Sequence, residues 1–467
     1  MDHLHRYANT ASPIEVCVVG SGGFGRSFLA QSTRVQSVSA RVAVDLTAEI
    51  AAQAWQAVGL QAEQIACCNT PEDAVRAWED GKYIAAGDVA TVTKLPIQVL
   101  VEATGHPEAG ARHARLAIEA GWHVAMASKE VDSVVGPELS RMARAKDRVV
   151  TPVDGDQPSL LIGLVTWAQV LGFEVLSAGK SSEYDFVFDA TSQTMHSNGS
   201  SIKVPGFAAL WKLQDGPLTP QAKARADICA ELPQRAVPDL CELQVVANST
   251  GLVFDVPQLH APIARPAEVA DMFALQAENG LLSGNGVIDV FHCLRTADEL
   301  SFAGGVFIII QCDDDATWEL LHGKGHVLSR DRRRAMVYLP RHLLGLEAMT
   351  SVLDAALHGV SSGAQAPKPC LDLVARTTQP LPAGTMLTMG GHHHSIEHVT
   401  AELMPAAPLA EGVPAPFYLV GNRRLLRDLA AGELICFDDV EIDASSELLQ
   451  LRQQQDAAFF SEHHPQV

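Results

Sequence analysis

Gly20, Gly22 and Gly25 stand as G-x-G-x-x-G in IEVCVVGSGGFGRSFLAQSTRV, directly after a β-branched run and directly before a helix-compatible one. In a strand, turn and helix that spacing has a physical reading. Gly20 permits the tight turn, Gly22 lets the backbone approach a pyrophosphate, and Gly25 lets helix and strand pack closely, while unpaired N–H groups at the helix start face the anion. Gly20, Ser21, Gly22, Gly23, Phe24 and Gly25 are therefore the candidate phosphate-binding loop. Asp45 closes the next strand-like run, SARVAVDL, 25 residues after Gly20. A carboxylate at that offset bonds both hydroxyls of a ribose and repels a 2′-phosphate, so NAD is expected in preference to NADP. Arg34 and Arg41 come too early in the strand to argue for the phosphate. The competing reading of Asp45 is a cap for the following helix.

Groups able to move protons end later strands. Lys129 in ASKE and Lys180 in SAGK each follow a strand-like run, and ligands of open α/β sheets sit at strand carboxyl ends. An ammonium there can polarise a carbonyl or, when neutral, take an alcohol proton. The structural alternatives are a helix-start lysine paired with Glu130 and a lysine in a domain interface. Thr104, Gly105 and His106 in EATGHP end another strand, and His106 reads either as a cofactor contact or as a cap. Asp154, Asp156 and Gln157 suit a substrate hydroxyl or a divalent metal, and equally the turn chemistry of a D-G-D stretch. Glu183, Asp185, Asp189 and His196 form a polar loop from which spacing alone selects no general base. Adjacent residues of an extended segment point to opposite faces, so His392, His393 and His394 are not expected to bind one zinc ion. Asp313, Asp314 and Asp315 read as a solvated turn, and Arg332 to Arg334 with Arg341 are the nearest approach to an anion-binding group.

The elements that must hold these residues alternate. IEVCVVG, SARVAVDL, PIQVLVEATG and WHVAMAS are strand-like and are separated by helical stretches, which argues for βαβ units and a parallel sheet. From about residue 150, FEVLSAG, ELQVVANS and GGVFIIIQ read as strands between longer connections, an α+β texture. LPAGTMLTMG and LAAGELICFDDVEI form a small third module, and the Gly-, Ser- and Pro-rich stretch GVSSGAQAPKP, residues 359–369, reads as a linker before it. The fold class is α/β, with a dinucleotide-binding Rossmann domain over 1–153, a second, α+β domain over 154–358 and a small β domain over 366–467.

Composition limits the partners. The 467 residues are 47% hydrophobic and carry 34 Lys+Arg against 55 Asp+Glu, a formal charge of -21 that repels nucleic acid and anionic membranes. Nine cysteines without C-x-x-C spacing read as reduced thiols of a cytoplasmic protein. No leader pattern and no run of about 18 apolar residues is present, so neither secretion nor membrane spanning is expected.

The segment LVEATGHPEAGARHARLAIEAGWHVAMASKE, with VDGDQPSLLIGLV and FEVLSAGK after it, resembles the homoserine dehydrogenase-like oxidoreductases that carry a C-terminal SAF domain. That group includes the type II, DXR-like 1-deoxy-D-xylulose 5-phosphate reductoisomerase. The resemblance continues through ANSTGLVFDVPQLHAP, GNGVIDV, GGVFIII and YLPRHLLGLE, and RDLAAGELICFDDVEI resembles the SAF signature. It implies a Rossmann domain, a substrate-binding and dimerisation domain, a C-terminal β-clip, and a homodimer or homotetramer. It also implies that Lys129 lies beside nicotinamide and substrate, and that Thr104, Gly105 and His106 serve the cofactor. Three departures weigh against the reductoisomerase: Gln157 stands where that pattern has Glu, acidic SSEYDFVFDA follows Lys180, and Asp45 opposes NADP.

The expectation is an NAD-dependent dehydrogenase of a small polar hydroxy acid or sugar-derived substrate, with Lys129, Lys180 and Asp156 catalytic. The alternatives are a metal- and NADPH-dependent reductoisomerase and a non-catalytic dinucleotide sensor.

Overall fold

The computed structural model describes residues 2–8, 12–391 and 394–461. His392 and His393 of the histidine run lie outside the described residues. The chain divides into two compact units, one of residues 1–159, 343–388 and 405–467, the other of residues 160–342 and 389–404.

The first unit is built on a seven-stranded parallel sheet of β1 (Ile14–Val19), β2 (Val38–Val44), β3 (Ile65–Cys68), β4 (Tyr83–Ala86), β5 (Val99–Glu102), β6 (His123–Met126) and β7 (Val150–Pro152), ordered β3-β4-β2-β1-β5-β6-β7. Strands of such a sheet are covered by helices on both faces, which is why they read as nearly continuous apolar runs. Val16, Val18, Val99 and Val101 are fully buried, packed with Phe28 and Leu29 of α1 (Gly23–Ser32) and Trp55 of α2 (Ala48–Ala57). The strand order reverses at β1, which lies between β2 and β5. The crevice outside the carboxyl ends of β1 and β5 is therefore the switch point where such sheets take ligands. Helices α3 (Pro71–Glu79), α4 (Pro107–Glu119) and α5 (Lys129–Arg144) complete the crossovers.

The end of the chain belongs to this same unit. Helix α8 (Glu447–Phe459) sits against α5, where the Gln455 amide donates to the Val134 carbonyl at 3.1 Å and accepts from the Glu138 N–H at 3.3 Å. Its start is capped from the Rossmann layer: Glu108 of α4 accepts from the Ser446 hydroxyl at 2.6 Å and from the Glu447 N–H at 2.5 Å. Arg452 is buried between Asp372, at 2.6 and 2.8 Å, and Asp456, at 2.8 Å. The stretch read as a flexible linker is tied down instead. The Ser362 N–H donates to Thr151 Oγ1 at 2.8 Å, Ser361 is buried, and no boundary between the units falls within 359–369.

The second unit carries a mixed sheet of β8 (Val175–Ser181), β9 (Phe186–Asp189), β10 (Thr194–Ser197), β11 (Ser200–Lys203), β12 (Val253–Phe254), β13 (Ile263–Ala264), β14 (Val287–Arg295), β15 (Val306–Gln311) and β16 (Arg334–Leu339). The order is β11-β10-β9-β14-β8-β15-β16, with β12 and β13 also paired to β14. β8 runs parallel to β14 and antiparallel to β15. Phe273, Phe291 and Phe307 fill the core beneath it.

ELQVVANS is not a strand: it lies in α7 (Val237–Thr250), since α6 is the helix Gln157–Val170. Pro238 in the first turn and Gly251 in the left-handed region at φ 77° supply start and stop signals. Every residue from Asp239 to Asn248 is buried, which erases the one-faced periodicity that would have betrayed a helix.

Candidate active site

The glycine loop has the geometry its spacing demands. Gly20 follows β1 at φ +87°, and a Cβ on it would lie 2.7 Å from the Ala103 carbonyl oxygen at the end of the neighbouring strand. At Gly25 a Cβ would lie 1.8 Å from the Gly20 carbonyl oxygen, so only glycine lets α1 start this close to β1. Gly22 is the N-cap of α1 with no side-chain cap bond, and a Cβ on Gly22 or Gly23 would meet nothing within 4 Å. The first amides of α1 therefore face an open crest. Asp45 turns towards that loop: Oδ2 accepts from the Ser21 N–H at 2.8 Å and from the Ser21 hydroxyl, and Oδ1 accepts from the Leu46 N–H at 2.7 Å. The cap of α2 is Thr47, not Asp45. Arg41 is committed elsewhere, stacked over Trp78 at 4.0 Å and bonded to the Trp78 and Lys82 carbonyls.

The carboxyl ends of β5, β6 and β7 add a polar cluster. Glu102, fully buried at the last position of β5, accepts through Oε1 from Thr104 Oγ1 at 2.7 Å and lies 3.2 Å from His113 Nδ1. Its Oε2 has no hydrogen-bond partner among the described residues. The Gly105 N–H donates to the buried Ser128 hydroxyl at 2.8 Å, which ties the loop after β5 to the loop after β6. His106 is the N-cap of α4, its Nδ1 accepting from the Ala109 N–H at 3.3 Å.

Lys129 opens α5 half-buried, and its Nζ lies 3.8 Å from Asp156 Oδ2. Asp156 Oδ1 accepts from the Gln157 N–H at 2.9 Å. Glu130, beside Lys129, is buried, and that burial pushes its carboxyl up to about 7 against the opposing charge of Lys129; burial also pushes Asp132 up to about 6. Asp154 is used structurally, accepting from Thr350 Oγ1 at 2.6 Å.

Lys180 lies in β8 of the second unit, 2% exposed, with Asp239 Oδ1 at 2.9 Å and Glu242 Oε2 in direct contact. Both carboxylates come from α7, and the Ser182 hydroxyl donates to Asp239 Oδ2 at 2.7 Å. The strand reading of ELQVVANS concealed Glu242, and nothing in the spacing pointed to Asp239. The same unit holds His260 between Asp289, 2.6 Å from Nδ1, and Asp255, 3.3 Å from Nε2. Burial opposes its charge, but the Asp289 hydrogen bond and both carboxylates outweigh burial and raise its pKa.

The remaining candidates have structural partners. Asp185 pairs with Arg295 at 2.5 Å, Asp189 caps the 189–192 turn, and His196 bonds Ser201 at 2.7 Å on an exposed hairpin. Asp314 is the N-cap of the helix Asp315–Gly323. The triple arginine does not gather as an anion site: Arg332 pairs with Glu319, and Arg334 is buried against Glu278 at 2.5 Å and Asp331 at 2.7 Å. His394, the described member of the histidine run, sits in a turn at φ 51°. No group of three metal-ligating side chains is present among the described residues.

Residues 155–216 and 237–348 match the family described as oxidoreductase DRL, catalytic domain. That match holds Asp156, Lys180, Asp239 and Glu242 but not the glycine loop. No curated protein matches the chain. Solved structures similar to it include levoglucosan dehydrogenase in complex with NADH and L-sorbose, at 18% identity over 39% of this chain and 44% of that one, with a TM-score of 0.25. Myo-inositol dehydrogenase from Lactobacillus casei matches at 14% identity over 38% and 47%, with a TM-score of 0.27. UDP-N-acetylglucosamine 3-dehydrogenase from Acidithiobacillus ferrooxidans matches at 13% identity over 76% and 92%, with a TM-score of 0.39. The chain thus spans less than half the length of the first two.

Proposed function

We propose that the protein is an NAD-dependent dehydrogenase of a small polar hydroxy compound, a hydroxy acid or a sugar derivative. The observation that carries the reading is Asp45, a carboxylate at the end of β2 held against the glycine loop beside the switch-point crevice. The open crest at Gly22 and Gly23 suits a pyrophosphate on the start of α1, and Asp45 suits an unphosphorylated ribose. Thr104, Gly105 and His106 line the same crevice from β5.

A bound nicotinamide supplies the hydride acceptor. Lys129 takes or returns the proton at the substrate oxygen, Asp156 orients its ammonium, and Glu130 stores a proton close by, its carboxyl near 7. In the second unit Lys180 is fixed as a charge between Asp239 and Glu242 and is not the proton carrier. The homoserine dehydrogenase-like subtype, the SAF-like ending and a homodimer or homotetramer belong to the same proposal.

Calorimetric titration with NADH and with NADPH, each with and without magnesium, tests it. Tighter binding of NADH, independent of magnesium, is the expected result. Preferential, magnesium-dependent binding of NADPH would overturn the Asp45 argument in favour of the reductoisomerase. Tight NADH binding with no turnover of any hydroxy acid or sugar acid would leave a sensor.

A further inference from the structure

A cavity opens in the first unit, away from the crevice. It has a volume of about 410 Å³, within the range of small-molecule sites. Arg144, Asp147 and Arg148 line one side, and Gly359, Ser361 and Gln365 line the other. Helix α5 begins at the crevice with Lys129 and ends at this cavity with Arg144, about 22 Å away along its axis. The cavity therefore lies towards the amino ends of the strands, where β7 begins at Val150.

The arginines are notable for what they bond. Arg144 Nη1 donates to the Gln365 carbonyl at 2.7 Å, and Arg148 donates to the carbonyls of Gly121 and, at 2.9 Å, Asp147. Neither guanidinium forms an ion pair among the described residues, although acidic side chains outnumber basic ones 55 to 34. Most other arginines of this unit, Arg112, Arg141 and Arg452 among them, are paired with carboxylates. These carbonyl bonds, with a 3.5 Å contact of Arg144 Nη1 to the Ser140 hydroxyl, leave N–H groups of each guanidinium unused. Opposite them the Gly- and Ser-rich stretch is held rigid by Ser362 on Thr151, and Ser361 accepts from the Gly363 N–H at 3.0 Å. The carbonyl end of α5 contributes about half a negative charge, and Asp147 one more, against two full positive ones.

We propose that this cavity is a second binding site, for a small oxyanion of the phosphate-monoester or dicarboxylate class, recognised by Arg144 and Arg148. Guanidiniums pair with both groups through forked, charge-assisted bonds, so the two sources share one recognition chemistry.

Titrating the full chain with inorganic phosphate and, separately, with succinate distinguishes them. One probe should bind at millimolar concentration or below, and R144Q/R148Q should weaken it by about tenfold or more while NADH binding is unchanged. R144K/R148K, which keeps the charge, should retain part of the affinity. Should the glutamine variant fold poorly, protection decides on the unmodified protein: the bound probe should slow phenylglyoxal modification of Arg144 and Arg148, read by peptide mass spectrometry. Absence of binding by both probes, affinity unchanged in R144Q/R148Q, or no protection would overturn the proposal.

Discussion

At the residue scale, single atoms decide what the glycine loop tolerates. Gly25→Ala forces a Cβ onto the Gly20 carbonyl oxygen and should cost about 3 kcal/mol or more, measured as a lowered denaturation midpoint together with lost NADH binding. Ser21→Ala removes only the hydroxyl bond to Asp45. It should weaken NADH binding by about tenfold, the worth of one hydrogen bond to a charged group, and leave NADPH binding unchanged, so that the ratio of the two affinities reports the loss. Glu130 adds a pH dependence. Burial keeps it protonated up to about 7 in the folded chain, against an ordinary value of 4.5, so between those values the unfolded chain binds fewer protons. Its stability contribution is therefore full below about 4.5 and is lost as pH rises towards 7, on the order of 3 kcal/mol. Glu130→Gln should flatten that slope in thermal melts recorded from pH 5 to 8.

At the element scale, β8 and α7 are joined by charge. Lys180→Met leaves Asp239 and Glu242 buried without their cation and should destabilise the second unit by about 3–5 kcal/mol in urea titration. Adding Glu242→Gln should recover part of that loss. Lys129→Met, by contrast, removes a half-exposed group and should lower kcat with little change in melting temperature. Part of this was legible beforehand, because Lys129, Asp45 and the glycines each follow a strand-like run, whereas no strand was read before Asp156. Glu242 was not, since a helix buried on every side carries no periodicity and Val245 and Val246 read as strand.

At the scale of the whole molecule, the far end of the chain completes the first unit. Truncation before Ser446 removes the Ser446 and Glu447 bonds to Glu108 and the Gln455 bonds to α5, and strands Asp372 without Arg452. The shortened protein should melt roughly 5 °C or more lower in calorimetry and bind NADH more weakly.

The chain by itself determined the strand, turn and helix of the glycine loop, the acidic strand end that follows and the lysines at later strand ends. Those features are local: a positive φ, a close approach or a strand terminus is written into a few consecutive residues. Tertiary structure alone decided that Asp45 is gripped by Ser21, that Lys180 is neutralised by two carboxylates about 60 residues away, and that a stretch read as a linker bonds Arg144 through the Gln365 carbonyl. Each of these depends on groups far apart in sequence meeting in space. The energy of burying a charge or an amide selects its partner by position in space, which no local pattern records.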